Sequence, residues 1–178
     1  MMARSFAVTY GLPVVITRAS NNIGPFQYPE KRVPLFVTNA IDDLPVPVYG
    51  QGGAVRDHLY VTDHCEAIDL VLHKGEAGEV YNVGAENEAD GMVVTEKILD
   101  LLEKPKELIQ HVTDRPGHDM RYALDTTKIQ ALGWEQKHGF EDAMRLTVEW
   151  YVANEAWWRS IKDGGDYKAY YDRNYSGR

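Results

Sequence analysis

TRASNNIGPFQYPEKR, residues 17–32, separates two apolar runs. Before it, LPVVIT at 12–17 has the β-branched density of a buried parallel strand. After it, PLFVTNAI at 34–41 reads as a helix with a proline in its first turn. The residues between are those of a loop leaving the carboxyl end of a strand, where open α/β sheets bind ligands. The fold class read from this stretch is α/β.

Working outward, MMARSFAVT at 1–9 has the pattern of a helix already under way, stopped by Tyr-Gly-Leu-Pro at 10–13. Downstream, Pro45 and Pro47 restrict their strand to an edge, and YGQGG turns into an alternating strand at 55–61. The next helix runs to Lys74, with Thr62 or Asp63 as cap and Ile68, Leu70, Val71 and Leu72 as its buried side. EVYNVG at 79–84 is a strand, and ENEADG after it is a loop. Residues 92–104 form an amphipathic helix, with Val93, Val94, Ile98, Leu101 and Leu102 inward. A short strand at 108–112, a small helix from Thr126 to Gly133 and a longer one at 140–155 follow. The aromatic tail, broken by Gly164 and Gly165, is expected to cover a surface and not to form core.

Nineteen basic against twenty-seven acidic residues give a net charge of -8 with no like-charge block, which disfavours a nucleic-acid partner. One cysteine, Cys65, excludes an internal disulfide and fits a reducing compartment. With no long apolar run and no signal-peptide pattern, no membrane association is expected and the location is expected to be cytoplasmic. The six histidines show no metal-ligand spacing, so no metal is expected; only His118 is kept as a ligand contact. Cys65, beside Asp63 and Glu66, is a poor nucleophile candidate.

Three basic groups stand in similar settings: Arg56 within a strand, Arg115 before Pro-Gly, and Lys31-Arg32 after the long loop. Planar, multidentate guanidinium groups placed this way suit a diphosphate. The structural alternative pairs Arg56 with Asp57 or Asp63, and Arg115 with Asp114 or Asp119; spacing alone favours that alternative. Asn21 and Asn22 either hold the loop or donate to a phosphate or sugar hydroxyl, and Tyr49 either stacks on a base or caps the core.

The segments TRASNNIGPFQYPEKRVPLF (17–36), LPVPVYGQGGAVRDHLYVTDH (44–64), GEVYNVGAENE (78–88) and DRPGHDMRYALD (114–125), with the terminal WW and DYKAYY, resemble the C-terminal half of the nucleotide-sugar 4,6-dehydratases, most closely their dTDP-glucose branch. These belong to the extended short-chain dehydrogenase/reductase superfamily. The resemblance implies the C-terminal part of an NAD-binding, Rossmann-like α/β fold with a few core strands and a small mixed α/β substrate-binding lobe. Residues 1–33 would end the cofactor domain and 34–178 would be mainly the lobe, with 55–84 returning to the core sheet.

The reaction so implied is NAD-dependent oxidation at C4 of a dTDP- or UDP-linked glucose, loss of water across C5 and C6, and return of hydride to C6. The family's Tyr-x-x-x-Lys, Asp-Glu pair and glycine-rich NAD loop precede the matched part. No catalytic residue is therefore assigned in this chain, which is expected to be inactive alone and not to retain NAD by itself. Thr17, Ala19 and Ser20 would pass near the nicotinamide. Asn21, Arg56 and Arg115 would bind the diphosphate with His118 nearby. Glu30 and Lys31 would approach the hexose and phosphates, Arg32 and Val33 would offer backbone amides, and Tyr49 would face the base. Gly91 stands where the family usually has a substrate-holding Asn, Ile23 where a Tyr is common, and Met120 where a basic residue is frequent. Alternatives are a UDP-sugar dehydratase, epimerase or decarboxylase relative, a free-standing nucleotide-sugar binding module, or an incomplete fold that self-associates into a homo-oligomer.

Overall fold

The computed structural model describes residues 2–114 and 116–175. The decisive stretch forms two short strands in place of one. α1 (Met2–Tyr10) stops at Gly11, whose φ of +65° lets its N–H reach back to Ala7 O at 3.0 Å. β1 (Ile16–Ala19) and β2 (Asn21–Ile23) come next, then α2 (Arg32–Ile41), β3 (Val46–Tyr49), β4 (Val55–Tyr60) and α3 (Val61–Lys74). They are followed by β5 (Val80–Val83), β6 (Glu88–Ala89), α4 (Gly91–Leu101), β7 (Ile109–Val112), β8 (Arg121–Tyr122), α5 (Thr127–Gln130), α6 (Phe140–Ala153), α7 (Glu155–Lys162) and α8 (Gly165–Tyr175).

β1 lies parallel to β5, with Ile16 opposite Val80, and β2 lies parallel to β4, with Asn21 opposite His58. The chain thus changes partner at Ser20, whose N–H still reaches Val83 O at 2.9 Å. β4 is the hub: it also pairs β6 antiparallel and β8 in parallel. Among the described residues β3 pairs only β7, with Pro47 opposite Gln110, so Pro47 sits in a two-stranded edge arrangement.

Several expectations are corrected. The first strand starts at Ile16 because Pro13 carries no N–H and the Val14 N–H turns back to Leu12 O at 2.8 Å. ENEADG is not all loop: β6 lies within it, held to β4 because the buried Asp57 carboxylate accepts the N–H groups of Ala85 (2.8 Å) and Asn87 (2.9 Å). Neither Thr62 nor Asp63 caps α3. Tyr60 occupies the cap, and Asp63 is buried, accepting from the N–H groups of Lys137 and His138, each at 3.0 Å. The helix buries Ala67 and Val71, whereas Ile68 and Leu72 are 44% and 69% exposed. On α4, Val94 and Ile98 are buried as expected, but Val93 is 46% exposed, and Leu99, not named in the periodicity reading, is buried.

Two apolar clusters result. The larger joins α2, β3, α4 and α6 through Leu35, Val37, Val46, Val94, Ile98, Leu99, Met144 and Tyr151. The smaller gathers Leu59 of β4, Ala67 and Val71 of α3, Tyr81 and Val83 of β5, Ile129 and Trp134. The tail belongs to the larger cluster: Trp158 and Tyr167 are buried there, against the expectation of a mere surface cover. Among the described residues no helix is long and apolar enough to cross a membrane.

Candidate functional site

The long loop, the start of α2, the β3 turn, β4 and the tail converge on one cleft. Its volume is about 260 Å³, and its lining includes Asn21, Lys31, Arg32, Tyr49, Arg56 and His118. Glu30 is there too, ion-paired to Lys31 at 3.1 Å. Seven residues singled out from sequence are thereby brought together. Val33 is not among them: its side chain enters the larger core, leaving only its backbone to take part. Thr17 and Ala19 lie on β1 and Ser20 just after it, away from the cleft. Arg115 lies outside the described residues.

The electrostatics of the cleft are decided by which carboxylates are already engaged. Arg56 is 6% exposed, and it donates to Val55 O at 2.7 Å and Asp119 O at 2.6 Å, with its guanidinium 4.6 Å from the Tyr122 ring centre. No carboxylate among the described residues lies within ion-pair distance of it. Asp57 serves the Ala85 and Asn87 amides, and Asp63 accepts from His138 Nδ1 at 2.6 Å. Arg56 therefore pairs with neither Asp57 nor Asp63 and is held instead by two backbone carbonyls and the Tyr122 ring.

Arg32 is likewise without a carboxylate partner among the described residues. Burial, then the Arg56 charge, pulls its guanidinium down to about 10, so it stays charged at neutral pH. Two unpaired cations on one wall, in a chain of net charge -8, focus a positive field into the cleft. Lys31 caps α2 through its backbone and gives no side-chain bond, so the first-turn amides of Arg32 and Val33 add their partial positive charge.

The polar rim is oriented by its neighbours. The Tyr122 hydroxyl donates to Asn21 Oδ1 at 2.5 Å, which turns the Asn21 amide N–H groups into the available donors. His118 Nδ1 sits 2.8 Å from Asp114 Oδ1. Tyr49 is flanked by His118 and Tyr175, with ring centres 6.2 and 6.0 Å away. Burial first, then the Tyr49 hydrogen bond, holds the Tyr175 hydroxyl well above the usual phenol range. Tyr175 and Tyr170, both cleft-lining, were missed from sequence; Gly91, noted there as a departure from the resembled family, also lines the cleft. Only the crowding of tyrosines in the tail could have pointed to Tyr170 and Tyr175. Among the described residues no group of three His, Cys, Asp or Glu could hold a metal ion.

His58, set aside from sequence as one of many histidines, is buried on β4 with Nε2 3.1 Å from Arg32 Nη2. Burial, then the Arg32 charge, lowers its pKa to about 4. The neutral ring therefore accepts from Arg32, and Nδ1 faces Asn87 O at 3.4 Å. Because the folded value lies below the unfolded one near 6.5, the stability linked to His58 is complete above about pH 6.5. It is lost as pH falls toward 4, by on the order of 3 kcal/mol. In urea melts at pH 7 and 4.5, His58→Gln is expected to lose less stability on acidification than the parent chain; equal losses would contradict this.

Residues 1–147 match the family model described as GDP-mannose 4,6 dehydratase. The chain belongs to that family. Among its curated relatives, dTDP-glucose 4,6-dehydratase of Salmonella typhimurium is 46% identical over 99% of this chain and 51% of its own length. Among solved structures, dTDP-glucose 4,6-dehydratase from Bacillus anthracis in complex with NAD superposes with a TM-score of 0.86 at 53% identity, covering 91% of this chain and 52% of that one. DesIV, the dTDP-glucose 4,6-dehydratase of Streptomyces venezuelae with NAD and TYD bound, gives a TM-score of 0.87 at 45% identity over 90% and 50% of the two chains. The chain thus spans about half the length of the curated relatives it matches. The extended short-chain dehydrogenase/reductase fold expected from sequence is the fold of these 4,6-dehydratase relatives.

Proposed function

We propose that this chain forms the nucleotide-sugar-binding part of an NAD-dependent dTDP-glucose 4,6-dehydratase. The observation that carries this reading is the pair of guanidinium groups, Arg32 and Arg56, lining one cleft, neither within ion-pair distance of a carboxylate among the described residues. An anion completes such a wall, and a lining that runs from an aromatic ring, Tyr49, through two guanidinium groups to Glu30 and Lys31 offers contacts for a base, a diphosphate and a sugar. Tyr49 faces the base, Arg56 and Asn21 the diphosphate with His118 nearby, and Glu30 and Lys31 the hexose and phosphates.

For the cofactor, Ser20 supplies the fit. It is buried at the carboxyl end of β1, and its Oγ has no hydrogen-bond partner among the described residues. Thr17, Ala19 and Ser20 are the residues of this chain that would meet the nicotinamide. NAD, when bound, supplies hydride acceptance and return. The residues of this chain hold the diphosphate and orient the hexose. No catalytic residue is assigned among them. In this reading α1, β1, α3 and β5 belong to the cofactor side, and the larger core carries the substrate lobe. The location is taken as cytoplasmic.

Calorimetric titration of the chain with dTDP and with thymidine tests the reading. Micromolar binding of dTDP with much weaker binding of thymidine is expected, because the cleft's charges address the diphosphate. No heat with dTDP would contradict it. The exposed Phe6, Val8 and Tyr10 of α1 support self-association of two copies through that helix. Sedimentation across concentration is expected to show a rising mass, and a monomer throughout would count against it.

A further inference from the structure

The side chain of Arg32 has a setting that its place in the first turn of α2 does not require. One Nη meets His58 Nε2 at 3.1 Å, and the other lies beside Gly91, where a built Cβ would stand 3.4 Å from it and 2.8 Å from Gly52 O. The backbone seam there is closed: Gly91 N–H donates to Gly52 O at 2.6 Å, and Gly52, at φ +75°, has no room for a Cβ beside Met92. His58 is itself immobilised. Asn87 Nδ2 donates to His58 O at 3.2 Å and to His138 O at 3.1 Å, while the Asn87 N–H is tied to Asp57. The ring also packs edge-on against Phe140, 5.9 Å between centres.

Arginine carries five N–H donors in a fixed plane. One is taken by the imidazole, which cannot cancel the charge; the acid in the cleft lining, Glu30, is paired with Lys31, and among the described residues no carboxylate lies within ion-pair distance of Arg32.

We propose that the Arg32 guanidinium is a specificity-determining contact to the diphosphate of the cleft's ligand, that His58 is the positioning residue orienting it, and that Gly91 is needed because a Cβ there would collide with Gly52 O and open the seam against which the guanidinium rests. This rests on the cleft being a nucleoside-diphosphate site. A guanidinium arriving from α2 occupies the space beside the Gly91 backbone, and its charge ties ligand affinity to the ligand's own charge.

The test titrates the 178-residue chain and its variants with dTDP and thymidine. Arg32→Leu is expected to weaken dTDP binding by about tenfold to a hundredfold and to leave thymidine unchanged. Arg32→Lys, which keeps charge without the planar fork and guards against a folding defect in the first variant, is expected to recover only part of this. His58→Gln retains an acceptor and is expected to stay within about threefold of the parent, whereas His58→Leu is expected to fall with Arg32→Leu. Gly91→Asn is expected to weaken dTDP by about tenfold.

If Arg32→Leu or Arg32→Lys binds dTDP like the parent while Arg56→Ala does not, the Arg32 proposal is overturned and the cleft reading stands. Equal loss in His58→Gln and His58→Leu overturns the positioning role. Absence of dTDP binding by the parent chain overturns both.

Discussion

Arg56→Ala is expected to weaken dTDP binding on the order of a hundredfold or more, the largest single effect in the cleft. The guanidinium is buried and anchored by two backbone carbonyls, Val55 O and Asp119 O, so it is already held in place before ligand arrives. Its remaining N–H groups therefore meet a diphosphate at little entropic cost. Removing it leaves a buried ligand charge short of one guanidinium, with Arg32 and the Asn21 amide left facing the anion. Folding stability should fall by only about 1–2 kcal/mol, the effect of two neutral acceptors losing a donor. Calorimetry at one fixed ionic strength, with urea melts in parallel, separates the two effects. Affinity within threefold of the parent would remove Arg56 from the site.

Trp158→Ala is expected to destabilise the chain by about 3–5 kcal/mol, a large share of the roughly 5–15 kcal/mol typical of a folded domain. Trp158 is fully buried in the larger core, and its indole N–H donates to Tyr151 O at 2.9 Å. Arg159 and Lys162 place their cationic groups 4.3 and 5.4 Å from its ring centre. Truncation opens a cavity that the rigid α6–α7 corner cannot refill and leaves a buried carbonyl unpaired. α8, which follows α7, carries Tyr170 and Tyr175 into the cleft wall, so the loss should also loosen ligand binding. A shift in the urea midpoint worth less than about 1 kcal/mol would show that the tail is only a cover.

Local chemistry made much of this legible. Residues 17–32 announced a ligand loop because polar and turn-forming residues stood between two apolar runs. Asn21, Lys31, Arg32, Tyr49, Arg56 and His118 do share one cleft. What local chemistry could not decide was who partners whom. Arg56 next to Asp57 in sequence suggests an ion pair, yet neighbours on a strand point to opposite faces. Asp57 turns instead to the Ala85 and Asn87 amides far along the chain.

The tail misled for a different reason. Gly164 and Gly165 break its pattern, while the burial of Trp158 and Tyr167 depends on α2 and α6 lying beneath them. The role of His58 was equally hidden, because a histidine's environment is set by tertiary neighbours, here Arg32 and Asn87. Arg115, strongly implied by the resemblance, lies outside the described residues.

Arg32 and Arg56 are proposed to await a nucleoside diphosphate, and a crystal structure of the chain grown with dTDP is the most direct test. Phosphate oxygens are expected within hydrogen-bond distance of both guanidinium groups, with the thymine beside Tyr49. A structure with the nucleotide bound elsewhere, or with both guanidinium groups turned onto protein carboxylates, would contradict it.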